Sequence, residues 1–74
     1  MNRFSQKELG EAIYQRRHLK HMSQEDLAQE VGLSANTIFK YENGTQSPGS
    51  DKLVLLANAL GCTPNDLLGW EATA

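Results

Sequence analysis

The sequence predicts an all-α fold, a compact domain of five helices, and three observations support that prediction. Apolar residues recur at the three- and four-residue spacing of a helix face, whereas no segment alternates apolar and polar residues as a half-buried strand does. Ser or Thr stands before several of these runs, where helices begin, and Gly follows them, where helices end. The chain has 74 residues, so we expect one domain, residues 1–74, with its core at about residues 5–69.

The first helix is predicted over residues 6–20. Ser5 and Glu8 have the spacing of a capping box, in which each side chain accepts a hydrogen bond from the backbone N–H of the other residue. Leu9 and Ile13 then recur at helical spacing, so we expect them to face the core.

Residues 23–44 are the most informative part of the chain, because they predict two short helices joined by a tight turn. Ser23 begins the first of these helices, and Ser34 caps the second, which ends at Gly44. Gly32 stands at the turn between them, where the backbone needs a residue that tolerates a positive φ. The residues expected to face inward are Leu27, Ala28, Val31, Ile38 and Tyr41.

Two further helices are predicted after this segment. The fourth begins at Asp51, after a loop at 45–50, and ends at Gly61. The fifth begins at Thr63, because a capping side chain, a proline and an acid follow one another there in the order of a helix start, and it ends at Gly69. The apolar face of the fourth helix consists of Leu53, Leu56, Ala57 and Leu60.

The outer face of the third helix predicts a partner. Two packed helices that leave the far face of the second one open have the shape of a helix-turn-helix, so we expect double-stranded DNA to bind there. Asn36 can pair with adenine, and Lys40 can reach guanine in the major groove. Ala35 and Phe39 can touch thymine methyl groups. The alternative is an ordinary solvent-exposed face on which Phe39 packs against a neighbour.

The charge balance argues against DNA binding, because the formal net charge is −2. The distribution weakens this objection. Five basic and two acidic residues give residues 1–21 a net charge of +3, whereas two basic and seven acidic residues give residues 22–74 a net charge of −5. Backbone N–H groups at helix N-termini can also bind phosphates without positive charge. The acidic balance keeps a second hypothesis open, a protein-interaction module that retains the fold without reading DNA.

Several motifs lie between about residues 13 and 68. They are Ser23-Gln24-Glu25-Asp26-Leu27-Ala28, Val31-Gly32-Leu33-Ser34, Ile38, Tyr41-Glu42-Asn43-Gly44, Pro48 and the leucine-rich run from Leu53 to Gly61. Together they resemble the lambda-repressor/Cro-type helix-turn-helix family, the XRE-like group of bacterial and phage regulators. The resemblance covers about three quarters of the chain, and its specificity comes from the combination, since each motif alone is weak.

The resemblance implies roles for individual residues. Base-reading positions of the family match Ala35, Asn36 and Lys40. Contacts to the DNA backbone are implied for Gln24, Thr37 and Asn43, with Thr45 and Gln46 in the following loop as weaker candidates. Phosphate contacts of this kind fix the register of the protein on DNA, and base contacts set its sequence preference.

Arg17 precedes Gln24 by seven residues, where the family often has an Arg that pairs with the Glu at the position of Glu42. The resemblance therefore implies a structural ion pair between the first helix and the end of the third. A direct phosphate contact by Arg17 is the competing view. Arg16 departs from the family pattern, because its position is frequently apolar, and we expect it to point to solvent or toward the DNA backbone.

The resemblance also implies a homodimer, because relatives usually bind DNA as dimers. Trp70 is the candidate contact with a second copy, together with Leu67 or Leu68. The alternative is that the Trp70 ring folds back onto the core of its own domain. A dimer predicts an imperfect palindromic operator whose half-sites lie about 34–36 Å apart, one turn of DNA.

Other features of the chain predict no enzyme activity, cofactor or metal site. His18 and His21 are three residues apart on one face of the predicted helix, a spacing that could hold a metal, but no Cys or acid is placed to complete the site. Cys62 is expected to fill the core. No run has the ~18 apolar residues of a membrane span, and the start of the chain lacks a signal peptide. We therefore expect a cytoplasmic protein.

The leading hypothesis is a sequence-specific transcriptional regulator, a repressor of phage or mobile-element type, whose third helix reads the major groove. An antitoxin that represses its own promoter and the N-terminal half of a longer repressor also fit the sequence. The protein-interaction module is the hypothesis from a different class.

Overall fold

The computed structural model describes residues 5–69, which form five α-helices and contain no strand. This arrangement confirms the all-α fold that the sequence predicts. Within residues 5–69, the helices are all too short or too polar to cross a membrane. The helices are α1 (Gln6–Leu19), α2 (Gln24–Val31), α3 (Ala35–Glu42), α4 (Ser50–Leu60) and α5 (Pro64–Leu68).

Side-chain oxygens cap four of these helices by accepting a hydrogen bond from a backbone N–H three residues further on. α4 lacks such a cap because Gly49 precedes it, and it begins at Ser50 instead of the predicted Asp51. Gly32 has a φ of +72°, the left-handed conformation that the turn between α2 and α3 requires. The four capping residues are Ser5, Ser23, Ser34 and Thr63.

The end of α1 corrects the prediction for the two histidines. α1 ends at Leu19, and His21 lies beyond it with a φ of +56°. Because the backbone has left the helical path, His18 and His21 do not share a helix face. In the described part of the chain, no group of three or more His, Cys, Asp or Glu side chains is arranged to hold a metal ion.

One hydrophobic core joins all five helices. α3 packs against α1 and α2, while α4 and α5 pack against each other and against α1. Ile13, Leu27, Ile38 and Leu56 are fully buried, so each of the first four helices contributes at least one completely covered side chain. The full core consists of Leu9, Ile13, Leu27, Ala28, Val31, Ile38, Tyr41, Leu56, Ala57, Leu60 and Leu67.

α1 and α3 approach each other very closely at Gly10. A Cβ atom added at Gly10 would lie 2.4 Å from the backbone carbonyl oxygens of both Tyr41 and Glu42. Real Cβ atoms essentially never come so near, so only a residue without a side chain allows this crossing. The close approach sets the position of the last turn of α3 relative to α1.

Candidate nucleic-acid interface

The outer face of α3 is open, whereas its inner face is anchored in the core. Ile38 and Tyr41 are buried on the inner side. Phe39 is 52% exposed, so about half of its surface is open to solvent. The residues of the outer face are Asn36, Phe39 and Lys40, which are exposed, and Ala35, which is half-buried at the first turn.

The exposed face of α3 is free of negative charge. The one acid of the helix is Glu42, whose side chain is only 6% exposed because it is engaged in an ion pair. Lys40 is exposed and has no carboxylate within ion-pair distance among residues 5–69. By contrast, exposed acids stand on α2, at Glu25, Asp26 and Glu30. The net charge of the chain therefore does not describe the local charge of this face.

A buried ion pair fastens the end of α3 to α1. Arg17 Nε donates to Glu42 Oε2 at 2.6 Å, and Arg17 Nη2 donates to Glu42 Oε1 at 3.0 Å, so the contact is bidentate. Arg17 Nη1 donates to the carbonyl oxygen of Met22 at 2.8 Å. The hydrogen bond to Glu42 raises the pKa of Arg17, although burial opposes the rise. Three donors of Arg17 are thus used inside the protein, which favours a structural role over a phosphate contact.

Gln24 belongs to the same cluster. It is the first residue of α2, and its Nε2 donates to Glu42 Oε1 at 3.1 Å. An amide nitrogen carries two N–H groups, so one can hold Glu42 while the other turns outward. Glu42 therefore orients the side chain of Gln24, for which a phosphate contact was expected. The same hydrogen bond links the start of α2 to the end of α3.

Hydrogen bonds at the two ends of α3 involve the other residues expected to contact the DNA backbone. The Thr37 hydroxyl lies 2.9 Å from the capping hydroxyl of Ser34. At the other end, Asn43 Oδ1 accepts the Thr45 backbone N–H at 3.1 Å and the Thr45 hydroxyl at 2.7 Å. The Thr45 hydroxyl has one proton, and it donates that proton to Asn43. Thr45 therefore positions Asn43 and has no hydroxyl proton left for a phosphate. Gln46 is exposed in the same loop.

The charge of Arg16 acts on two groups in or beside α5, while its expected orientation toward solvent or the DNA backbone stays a prediction. Burial raises the pKa of the Cys62 thiol, and the positive charge of Arg16 partly offsets that rise. Hydrogen bonds from Thr63 lower the pKa of Asp66, and the charge of Arg16 lowers it further. Arg16 itself is half-buried, as α1 packs against α5. Cys62 is half-buried and packs against the core, in keeping with its expected role as filler.

The residues expected at a dimer contact have different environments. Leu67 is only 2% exposed, because it belongs to the core of its own domain. This burial corrects the expectation for Leu67, whose side chain has almost no surface left for a second copy. Leu68 is half-buried. Trp70 lies outside the described residues.

Two contacts of this site do not follow from the helical periodicity of the sequence. Gly10 looks like an ordinary interruption of a helix, and only the structure shows α3 crossing it. The bond between Gln24 and Glu42 joins residues 18 positions apart, so helical periodicity gives no sign of it. A glycine on the otherwise inward face of α1, in line with Ile13 and Arg17, is the one sequence feature that could have revealed the crossing.

The sequence and the fold match a known family. The helix-turn-helix family model matches residues 13–67, which is more than half of the chain. The chain therefore belongs to the helix-turn-helix family, in its lambda-repressor/Cro-type (XRE-like) branch of DNA-binding transcription regulators.

Solved structures show the same fold. The P22 c2 repressor, crystallised with a synthetic operator, is 33% identical with a TM-score of 0.81, over 85% of this chain and 96% of that chain. The restriction-modification controller protein C.AhdI from Aeromonas hydrophila is 29% identical with a TM-score of 0.80, over 84% and 94%. HppE, solved as an iron(II) complex with substrate, is 25% identical with a TM-score of 0.80, over 86% of this chain but only 36% of HppE. A search of curated proteins gave no significant match.

Proposed function

We propose that this protein is a sequence-specific repressor of phage or mobile-element type, which binds duplex DNA with α3 in the major groove. The observation that carries the proposal is the outer face of α3, where an amide and a cation stand exposed one helical turn apart, at Asn36 and Lys40. Ile38 anchors the inner face of the helix in the core, and the Arg17–Glu42 pair fixes its C-terminal end. The likeness to the P22 c2 repressor, which was crystallised with operator DNA, supports this proposal.

The base contacts in this proposal follow from the chemistry of the four outward residues. Asn36 donates to and accepts from an adenine edge, and Lys40 donates to guanine O6 or N7. Ala35 and Phe39 lie against thymine methyl groups. α3 has 8 residues, about two turns, so side chains from its first and second turns can reach successive base pairs in one groove.

Contacts to the DNA backbone flank these bases. Gln24 binds a phosphate with the N–H that it does not give to Glu42, and Thr37 does so at the start of α3. Asn43 uses its amide nitrogen, since Thr45 holds the amide oxygen. Gln46 adds a contact from the loop, and Thr45 acts through Asn43. Such contacts fix register and orientation and carry no sequence preference of their own.

The proposal includes a homodimer in the cytoplasm of a bacterial cell. The proposed contact with the second copy uses Leu68 and Trp70, whereas Leu67 is buried in the core of its own domain. Two copies related by a twofold axis would read two half-sites about 34–36 Å apart, so the operator would be an imperfect palindrome.

Selection from a random duplex pool at physiological salt tests this function. The expected result is an enriched inverted repeat whose half-sites lie about one helical turn apart. Enrichment of a single half-site would support DNA reading and remove the dimer from the proposal. Binding that is absent, or that depends on salt without any sequence preference, would overturn it.

A protein-interaction module or antitoxin-like domain is the second candidate. The exposed acids of α2 and the net charge of −2 favour it. This candidate predicts no enriched sequence, together with a protein partner whose binding survives the loss of Asn36 and Lys40.

A further inference from the structure

Tyr14 is a large aromatic residue on the outside of α1, where it is 48% exposed. The guanidinium carbon of Arg17 lies over its ring, 5.4 Å from the ring centroid. The centroid of the His18 ring lies 4.2 Å from the same point. A cation within about 6 Å of a ring centroid is attracted to the electron-rich face of the ring. The Tyr14 ring is therefore held against the following turn of α1, and its best-placed partner is the cation of Arg17.

Arg17 is almost completely buried, and its hydrogen bonds provide only part of that cover. Its Nε and Nη2 donate to Glu42, and its Nη1 donates to the carbonyl oxygen of Met22. All N–H groups of a guanidinium lie in one plane, so these partners occupy its edges and leave its two flat faces to other contacts. The Arg17 side chain is only 7% exposed, so neighbours must cover the faces as well. Tyr14, whose ring is half open to water, is one such neighbour.

The ion pair that Tyr14 adjoins also holds Gln24. Glu42 Oε1 accepts from Arg17 Nη2 at 3.0 Å and from Gln24 Nε2 at 3.1 Å, so the two donors share one oxygen. Opposite charges attract each other less strongly in water than in a protein interior, and water that entered could replace either donor. Such entry would release the Gln24 side chain, which would then have to lose its rotational freedom again on binding a phosphate.

We infer that Tyr14 is a positioning residue for DNA binding, whose ring keeps water from the guanidinium of Arg17 and so preserves the orientation of Gln24. The ring acts on DNA through these side chains and does not itself touch the duplex. The inference rests on the proposed function, in which Gln24 contacts a phosphate. It adds a residue of α1, a helix that supplies none of the proposed DNA contacts.

The first test uses the free protein and needs no DNA. NMR measures the rate at which the Arg17 Nε–H exchanges its proton with water. Tyr14→Ala should raise this rate roughly two- to fivefold, the change in an opening equilibrium that one exposed cation–π contact supports. Tyr14→Phe keeps a ring over the guanidinium and should exchange at the unaltered rate. Leu19→Ala is the matched control, because Leu19 is another apolar side chain of α1, 76% exposed, whose loss should leave the rate unchanged.

The second test measures affinity for the selected operator and for non-operator DNA. Tyr14→Ala should weaken binding to both roughly two- to tenfold, the effect of one hydrogen bond, because a phosphate contact has no sequence preference. Tyr14→Phe and Leu19→Ala should bind both as the unaltered protein does. In a Gln24→Ala background, Tyr14→Ala should cause no further loss, since the side chain that the ring positions is already absent.

A further variant separates a loss of positioning from a loss of fold. Tyr14→Gln removes the ring and keeps a long side chain that favours a helix, so it should behave like Tyr14→Ala in both tests. Because about half of Tyr14 is already exposed, circular dichroism should show that all these variants keep their helices at the temperature of the binding measurements.

The outcomes separate the inference from the proposed function. Faster exchange in Tyr14→Ala with unchanged DNA affinity would overturn the inference and leave DNA reading intact. Weaker binding by Tyr14→Phe would also overturn it, since the hydroxyl would then contact DNA directly. An additional loss of affinity in the Gln24→Ala background would do the same, because Tyr14 would then act by another route. If the unaltered protein binds no DNA, the proposed function fails, and the inference fails with it.

Discussion

Arg17 and Glu42 join α1 to α3 through two parallel hydrogen bonds of 2.6 and 3.0 Å between side chains that are almost completely buried. The same guanidinium binds the carbonyl of Met22, and the same carboxylate accepts from Gln24. The end of α3, the start of α2 and the loop before α2 are therefore held by one cluster. Because Gln24 stands at the proposed interface, the pair connects the stability of the fold to the geometry of DNA binding.

Arg17→Ala should lower the free energy of unfolding by about 3–5 kcal/mol, because it leaves the Glu42 carboxylate buried without its partner. Thermal and urea denaturation measure this loss. Below the melting temperature, affinity for DNA should fall much less than stability does. An unchanged melting temperature with weaker DNA binding would contradict the structural role and assign a phosphate contact to Arg17.

The double variant Arg17→Ala, Glu42→Ala controls for the unpaired charge. If the two side chains act on each other, the double variant should lose less stability than the sum of the single variants, since no charge is left buried alone. Strict additivity would mean that each residue stabilises the fold through other contacts, such as those to Met22 and Gln24.

Gly10→Ala should also destabilise the protein, although alanine usually favours a helix over glycine by up to about 1 kcal/mol. The added Cβ would lie 2.4 Å from two backbone carbonyl oxygens of α3, so the helices must move apart. Overpacking of this kind costs about 1–3 kcal/mol. Glu11→Ala, at the exposed neighbouring position, should change stability by less than about 0.5 kcal/mol. A Gly10→Ala protein as stable as Glu11→Ala would show that α1 and α3 can separate without loss.

The helices of this fold could be predicted from the sequence because their ends are local. Ser5, Ser23, Ser34 and Thr63 each cap the backbone three residues away, and Gly32 sets the turn of the helix-turn-helix. The outward position of Asn36 and Lys40 follows from the same periodicity, with Ile38 as the inward reference. Interactions that span one helical turn are therefore readable from spacing alone.

Contacts between distant residues could not be predicted in this way. Gly10 faces carbonyl oxygens more than 30 positions away in the chain, and no periodicity relates them. The pairing of Arg17 with Glu42 was expected only through the resemblance, and the bonds from Arg17 to Met22 and from Gln24 to Glu42 were not expected. Leu67 was a candidate for the contact with a second copy because the sequence does not show how much of the Leu67 side chain is buried within its own domain. Burial is a property of packing, so the structure had to supply it.

Asn36→Ala and Lys40→Ala should each weaken binding to the selected operator by about 1–3 kcal/mol while leaving non-operator DNA and the melting temperature nearly unaffected. Both side chains are exposed, so their loss leaves the core intact. Competition binding against operators altered at single base pairs measures the effect, and each variant should lose discrimination at one position. Lys20→Ala removes the same charge beyond the end of α1, beside α2 and α4, and should keep full discrimination. If Lys40→Ala loses equal affinity for operator and non-operator DNA, Lys40 contacts a phosphate instead of a base.

Acid should destabilise the fold through the capping boxes of α2 and α5. Hydrogen bonds with Ser23 and Thr63 lower the pKa of Asp26 and Asp66 below 3.8. Because the unfolded chain takes up these protons first, the stabilisation is complete above pH 3.8 and is lost as the pH falls through the lower pKa of the folded state.

Asp26→Asn isolates this effect, because the amide oxygen can still accept the Ser23 N–H while the residue no longer titrates. Urea denaturation between about pH 5 and pH 2 should show a smaller loss of stability for Asp26→Asn than for the unaltered protein. Glu25→Gln removes an adjacent exposed acid that makes no capping bond, and its acid-induced loss should match that of the unaltered protein. Of the two acids, Asp26 is the one that accepts a backbone N–H, from Ser23. If both substitutions flatten the pH dependence equally, the general negative charge of α2 causes the acid-induced loss of stability and the capping bond does not.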